Sequence, residues 1–129
     1  MAWTVTTTTT HVDSQQGHAA FHATSDGATD LAGQLIIDIS VLTGTPSQIK
    51  IDYVTLACEL CEGFLSYDHT TDQLIIGCAD GDRVEIKASE FLPKGIVDGG
   101  SGGTGDVIAT TTSGAAGSCM TGFIAWRIP

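Results

Sequence analysis

The clearest pattern in the chain is a two-residue alternation near its middle. From Asp82 to Ala88, Val84, Ile86 and Ala88 fall on one side and Arg83, Glu85 and Lys87 on the other, the period of a strand with one buried face. Leu74, Ile76 and Cys78 repeat the pattern one strand earlier, with Ile75 also expected under cover. Asp80-Gly81 between them, flanked by alternating apolar residues, predicts a type I′ hairpin. A longer turn, Asp68 to Asp72, precedes Gln73, and Phe64 to Tyr67 supplies another strand. The stretch Ile49 to Ala88 therefore reads as four consecutive strands of one sheet, which the rest of the chain covers and closes. The first of them changes phase: Ile49 and Ile51 alternate with Lys50 and Asp52, but after Tyr53 the apolar positions are Val54, Leu56 and Cys58. A β-bulge, or a strand passing from one sheet to another, accounts for such a switch.

The flanks are patterned less regularly. Trp3 to Val12 is dominated by threonine and predicts either an edge strand or an extended arm ordered against a partner. Ala19, Phe21 and Ala23 mark one face of a short strand, and Leu35 to Val41 predicts a strong strand with Leu35, Ile37 and Ile39 on one side. Ser89 to Leu92, bounded by Pro93, suits a single helical turn. Gly99 to Gly105 is a loop, and strands are expected over Asp106 to Thr112 and Cys119 to Ile128. Strands at this spacing, with turn residues between them, predict one all-β domain over residues 1–129: an antiparallel, jelly-roll-like β-sandwich with at most one short helical turn. Residues 1–12 are the candidate arm.

Composition narrows the functions open to such a domain. Fifteen Asp and Glu against five Lys and Arg give a formal charge of −10, and no basic cluster is present to displace counterions from a nucleic acid. The apolar runs are far shorter than the roughly twenty residues of a spanning helix. The amino terminus lacks the basic start and apolar core of a secretion signal, so the chain is expected to stay in the compartment where it is made.

The motifs that could carry chemistry are weak. The glycine-rich loop is followed by Asp106 and a strand, where a phosphate loop needs Lys-Ser/Thr and a helix. Cys58-Glu59-Leu60-Cys61, with Cys78 and Cys119, holds only one of the two C-x-x-C pairs of a zinc ribbon. Buried free thiols are the expectation, with a metal site including Cys78 as the alternative. His18 and His22 share one strand face about 13 Å apart, too far for one ion, and His11 and His69 are isolated. Asp80, Asp82, Asp98 and Asp106 lack the calcium-loop rhythm. No nucleophile elbow or paired carboxylates can be placed. A non-enzymatic protein without cofactor or metal is expected.

The carboxy-terminal run Gly100-Ser101-Gly102-Gly103-Thr104-Gly105-Asp106 leads into Val107 to Thr112, a small-residue turn, and Cys119 to Ile128 with Arg127 near the end. This ending resembles that of small structural proteins of tailed bacteriophages, as does the threonine-rich opening. The resemblance implies a capsid decoration or cement protein: a β-sandwich on the outside of the virion, made in the host cytoplasm, arranged as trimers and bridging subunits of the major capsid protein. The expected interface residues are Trp3, Val5, Thr7, Thr9 and His11, then Gly100, Gly103 and Asp106 of the loop, and Trp126. A virion-borne carbohydrate-binding or host-attachment module, using exposed aromatics among Trp3, Tyr53, Tyr67 and Trp126, is the alternative. A cupin-type enzyme would need closely grouped histidines, a spacing the four histidines lack.

Overall fold

The computed structural model describes residues 3–11, 16–25, 30–42, 48–88, 96–97, 104–112 and 116–128. Among the described residues ten strands carry the fold: β1 (Trp3–His11), β2 (Gln16–Ser25), β3 (Gln34–Ile37), β4 (Lys50–Glu59), β5 (Glu62–Tyr67), β6 (Gln73–Cys78), β7 (Arg83–Lys87), β8 (Ile96–Val97), β9 (Val107–Thr112) and β10 (Cys119–Arg127). One sheet runs β1-β2-β10-β4-β7, with β8 also on β4, and the second runs β3-β9-β5-β6.

Every strand pairing is antiparallel, and the order can be read as one long hairpin rolled up. Its tip is the β5·β6 pair. Behind the tip lie β4·β7, β3·β9 and β2·β10. Rolling the hairpin brings β10 against β4 and β9 against β5, which closes two sheets face to face. This is the jelly roll, one of the ways an all-β chain limits its exposed strand edges. The chain is thus an antiparallel β-sandwich of jelly-roll type.

The core lies between the sheets, where alternate residues meet. Ala19, Phe21, Leu56, Leu65, Ile124 and Trp126 are among its buried members. β2, β5 and β10 alternate without interruption. Phe21 lies over its cross-strand partner Gly122, where an added Cβ would come within 2.4 Å of the ring.

Three of the described strands break the alternation at a bulge, and β9 buries Val107, Ile108 and Ala109 in succession. In β4 the register slips so that Asp52 is the extra residue opposite Ala125 and Trp126; this is the expected phase change, and it is a bulge within one sheet. In β6 the extra residue is Ile75, buried together with Ile76. In β3 it is Ile36, and this corrects the strong strand expected over Leu35 to Val41. Leu35 is 44% exposed while Ile36 and Ile37 are both buried. The strand ends at Ile37, and Ile39–Val41 forms a 3-10 turn capped by Asp38, whose carboxylate accepts from the Ser40 backbone N–H.

A second correction concerns Ile49 to Ala88. Its four strands exist, but β4 and β7 belong to one sheet and β5 and β6 to the other. The Asp80-Gly81 turn is present and joins the two sheets. Asp82 N–H donates to Ala79 O at 3.1 Å, and only Gly81 has positive φ (+76°), which a type I′ turn excludes and a type II turn requires. Backbone bonds from Cys58 to Asp82 and from Gly81 to Cys58 hold it on β4. The single helical turn expected over Ser89 to Leu92 and most of the Gly99 to Gly105 loop lie outside the described residues.

Candidate functional site

The outward side chains of the first sheet form continuous rows across five strands. One row is Thr6, His22, Thr121, Ala57 and Arg83; the next is Thr8, Ala20, Phe123, Thr55 and Glu85. At the centre the His18 ring stacks on Phe123 at 5.6 Å, and Tyr53 meets Phe123 edge-on at 6.0 Å. Tyr53 donates its hydroxyl to Glu85 at 2.8 Å, and His22 Nδ1 lies 2.8 Å from the Thr121 hydroxyl. The Glu85 bond favours the protonated phenol and raises the Tyr53 pKa. Shallow depressions of about 230 to 280 Å³ flank this cluster, lined in part by His18, His22, Thr121 and Phe123.

Charge is distributed unevenly around the molecule. Lys50, Arg83, Lys87 and Arg127, four of the five Lys and Arg residues, project from β4, β7 and β10 on this same face. Lys94, the fifth, is outside the described residues. Asp52, Glu59 and Glu85 are the acids on the face. Asp30, Asp38, Glu62, Asp68, Asp72, Asp80, Asp82 and Asp106 lie in the turns, the inter-sheet connections and the second sheet. The face is close to electroneutral, and the rest of the described surface is acidic.

The four cysteines gather at one end of the sandwich. Cys58, Cys61 and Cys78 are buried free thiols and Cys119 is half-buried. Leu60, between the first two, has φ +62°, a conformation disfavoured for a side chain with a Cβ. It is held there by its N–H donating to Asp80 Oδ1 at 2.8 Å and by Ser118 Oγ donating to its carbonyl at 2.7 Å. Burial above all, then the neighbouring Cys78 and Cys61 thiols, pushes the Cys58 pKa far up; burial also raises Cys61. Such thiols stay protonated and behave as small apolar groups. Among the described residues no group of three or more His, Cys, Asp or Glu is arranged to hold a metal ion, and none of the buried residues is a histidine.

The residues expected at an interface divide. Trp3 and Val5 are half-buried and pack on the core of their own chain, since β1 is an edge strand of the sandwich. Thr7 is exposed. Thr9 and His11 belong to β1, but their side chains, like Gly100 and Gly103, are outside the described set. Asp106 turns inward: its Oδ1 accepts from Ile39 N–H at 2.9 Å, while Thr104 and Gly105 bond to Asp68. Trp126 requires correction as an exposed aromatic. It is 2% exposed because it shares the inner side of β10 with Met120, Gly122 and Ile124. Tyr67 is likewise buried, so the outward-facing aromatic cluster is half-buried Phe123, Tyr53 and His18, of which only Tyr53 was expected as an exposed aromatic. The even spacing of Phe123 from Cys119, on the side opposite Trp126, was the available signal.

No family model matches the chain, and no curated protein matches it. Among solved structures, a cupin superfamily protein from Desulfitobacterium hafniense DCB-2 aligns with 98% of this chain and 79% of its own. Identity is 11% and the TM-score 0.36, a likeness too loose to carry an argument about fold or function. The jelly-roll assignment rests on the strand order above.

Proposed function

We propose that this chain is a non-enzymatic virion structural protein that decorates the head of a tailed bacteriophage and bridges its major capsid subunits. The observation that carries the reading is the outer face of the β1-β2-β10-β4-β7 sheet. It is broad and crossed by continuous side-chain rows, and it collects the cations of a chain with charge −10. An acidic protein approaches another large surface most readily where its own charge is compensated, because like-charge juxtaposition elsewhere is repulsive. The aromatic cluster at the centre of the face supplies the anchors that interfaces favour. Purified chain added to phage heads stripped of it should co-sediment with them, and cryo-EM should find the Phe123 face against the capsid. Arg83→Glu with Lys87→Glu should weaken co-sedimentation, while Glu62→Lys on the other sheet should not. Binding indifferent to the face substitutions would overturn the proposal.

The glycan-binding alternative is favoured by one feature, the Phe123, Tyr53 and His18 cluster beside shallow depressions. Glycan-array binding abolished by Phe123→Ala, with the fold intact, would select it.

A further inference from the structure

The sandwich ends in five edge strands among the described residues, and four of them carry features that discourage pairing with another chain: β8, which continues the β7 edge along β4, is only two residues long. β7 is five residues long and alternates Arg83, Glu85 and Lys87 along its outward side. β3 has four residues and a bulge at Ile36. β6 has six residues and a bulge at Ile75. Charge, brevity and bulges are the devices by which sheets protect their edges.

β1 has none of them. It is nine residues long and pairs with β2 from Trp3 to His11 without a slip in register. It contains no proline, no glycine and, from Trp3 to Thr10, no ionisable side chain. Among the described residues no strand lies on its other side. A straight, uncharged edge of this length is a template for strand addition.

We infer that this edge pairs with the β1 edge of a second copy, antiparallel about a two-fold axis, to join the two six-stranded sheets into one continuous sheet. Two features select a second copy over an unrelated strand. Two chains of charge −10 can meet along β1 where neither carries charge. The run Thr6 to Thr10 is also self-complementary, since antiparallel pairings centred on it set threonine opposite threonine, a favourable cross-strand pair. Pairing of like edges uses each edge once and closes at two copies. The trimer implied by the phage resemblance would need another surface. This inference does not depend on the capsid reading and is tested without a capsid.

Light scattering on the full chain across a dilution series should give twice the chain mass at the concentrated end. Thr6→Lys with Thr8→Lys, at two exposed outward positions, places on the edge the charge that protects β7 and should raise the dimer dissociation constant about tenfold or more. Thr6→Ser with Thr8→Ser should leave it near the parent value. Far-UV circular dichroism and the urea midpoint verify that the lysine variant is folded; should it not fold, Thr8→Cys alone, which the pairing sets opposite its own copy at the two-fold axis, should cross-link copies under mild oxidation more readily than Glu62→Cys, on the other sheet. A chain that stays single, assembles as three or polymerises would overturn the inference, as would a dimer indifferent to the lysines and without preferential cross-linking at position 8.

Discussion

Arg127 holds Asp52 with a two-pronged grip, Nε on one carboxylate oxygen and Nη2 on the other at 2.7 Å. Asp52 is the bulge residue of β4, and Arg127 ends β10 on the strand beside it. The ion pair therefore closes the irregularity that lets β4 change phase, and the carboxylate raises the Arg127 pKa through the hydrogen bond and its charge. A planar fork fits a carboxylate in a way an ammonium cannot.

Arg127→Lys should accordingly behave more like Arg127→Ala than like the parent. Both should lower the urea midpoint modestly with an unchanged m-value, because the pair is partly exposed and screened by solvent. A lysine variant as stable as the parent would show that charge alone, without the fork, secures the bulge.

Gly63 is the tightest point of the thiol-rich end. A Cβ there would lie 2.5 Å from Cys58 Sγ and 3.3 Å from Met120 Sδ. Gly63→Ala should cost about 1–3 kcal/mol, the usual range for overpacking a core. Cys58→Ala removes the closer sulfur, so the double variant should be more stable than the sum of the two single effects. Urea denaturation of the four proteins gives the coupling directly, and strict additivity would mean that the backbone of β5 moves instead.

How much of this was legible in the sequence depends on the kind of pattern. Val84 and Ile86, or Ala19 and Phe21, announce a strand face by themselves, because side chains alternate sides whatever the partner strand. The partner strand does not show in that alternation. Asp80-Gly81 looked like a local hairpin, yet β6 and β7 pair with β5 and β4 in opposite sheets. Cover over Ile75 beside Ile76 was legible, but the bulge residue Ile36 is an apolar neighbour of apolar residues, and only a register with a distant strand decides that both Ile36 and Ile37 are buried. Trp126 was misread for a related reason: its burial follows from the β10 phase set by Met120 and Ile124. Phe123 gained its prominence only when β10 was placed between β2 and β4.

Tyr67 ties the second sheet to a strand of the first. Its hydroxyl donates to Ile96 O at 2.7 Å, with Ile49 O at 3.4 Å, and the ring is fully buried. Tyr67→Phe keeps the packing and removes the donor, leaving the β8 carbonyl without this bond. A loss of about 1–2 kcal/mol is expected, together with faster amide exchange at residues 96–97. An unchanged exchange rate there would show that β8 is held by its pairing with β4 alone.

Stability should also fall in alkali, by a route the thiols dictate. A free cysteine in the unfolded chain ionises near pH 8.5. Burial and the adjacent thiols keep Cys58, and burial keeps Cys61, protonated to higher pH in the folded state. Between the two pKa values the folded state binds more protons than the unfolded one, so unfolding free energy decreases as pH rises. The thiol contribution is fully present below about pH 8 and drains away above it. Thermal unfolding from pH 7 to pH 10 should show this fall, and Cys58→Ala, though less stable at pH 7 for its lost packing, should show a shallower one. In the native state an alkylating reagent should modify half-buried Cys119 first. Equal slopes in parent and variant, or early labelling of Cys58, would mean that the thiols at this end of the sandwich open to solvent far more readily than their burial implies.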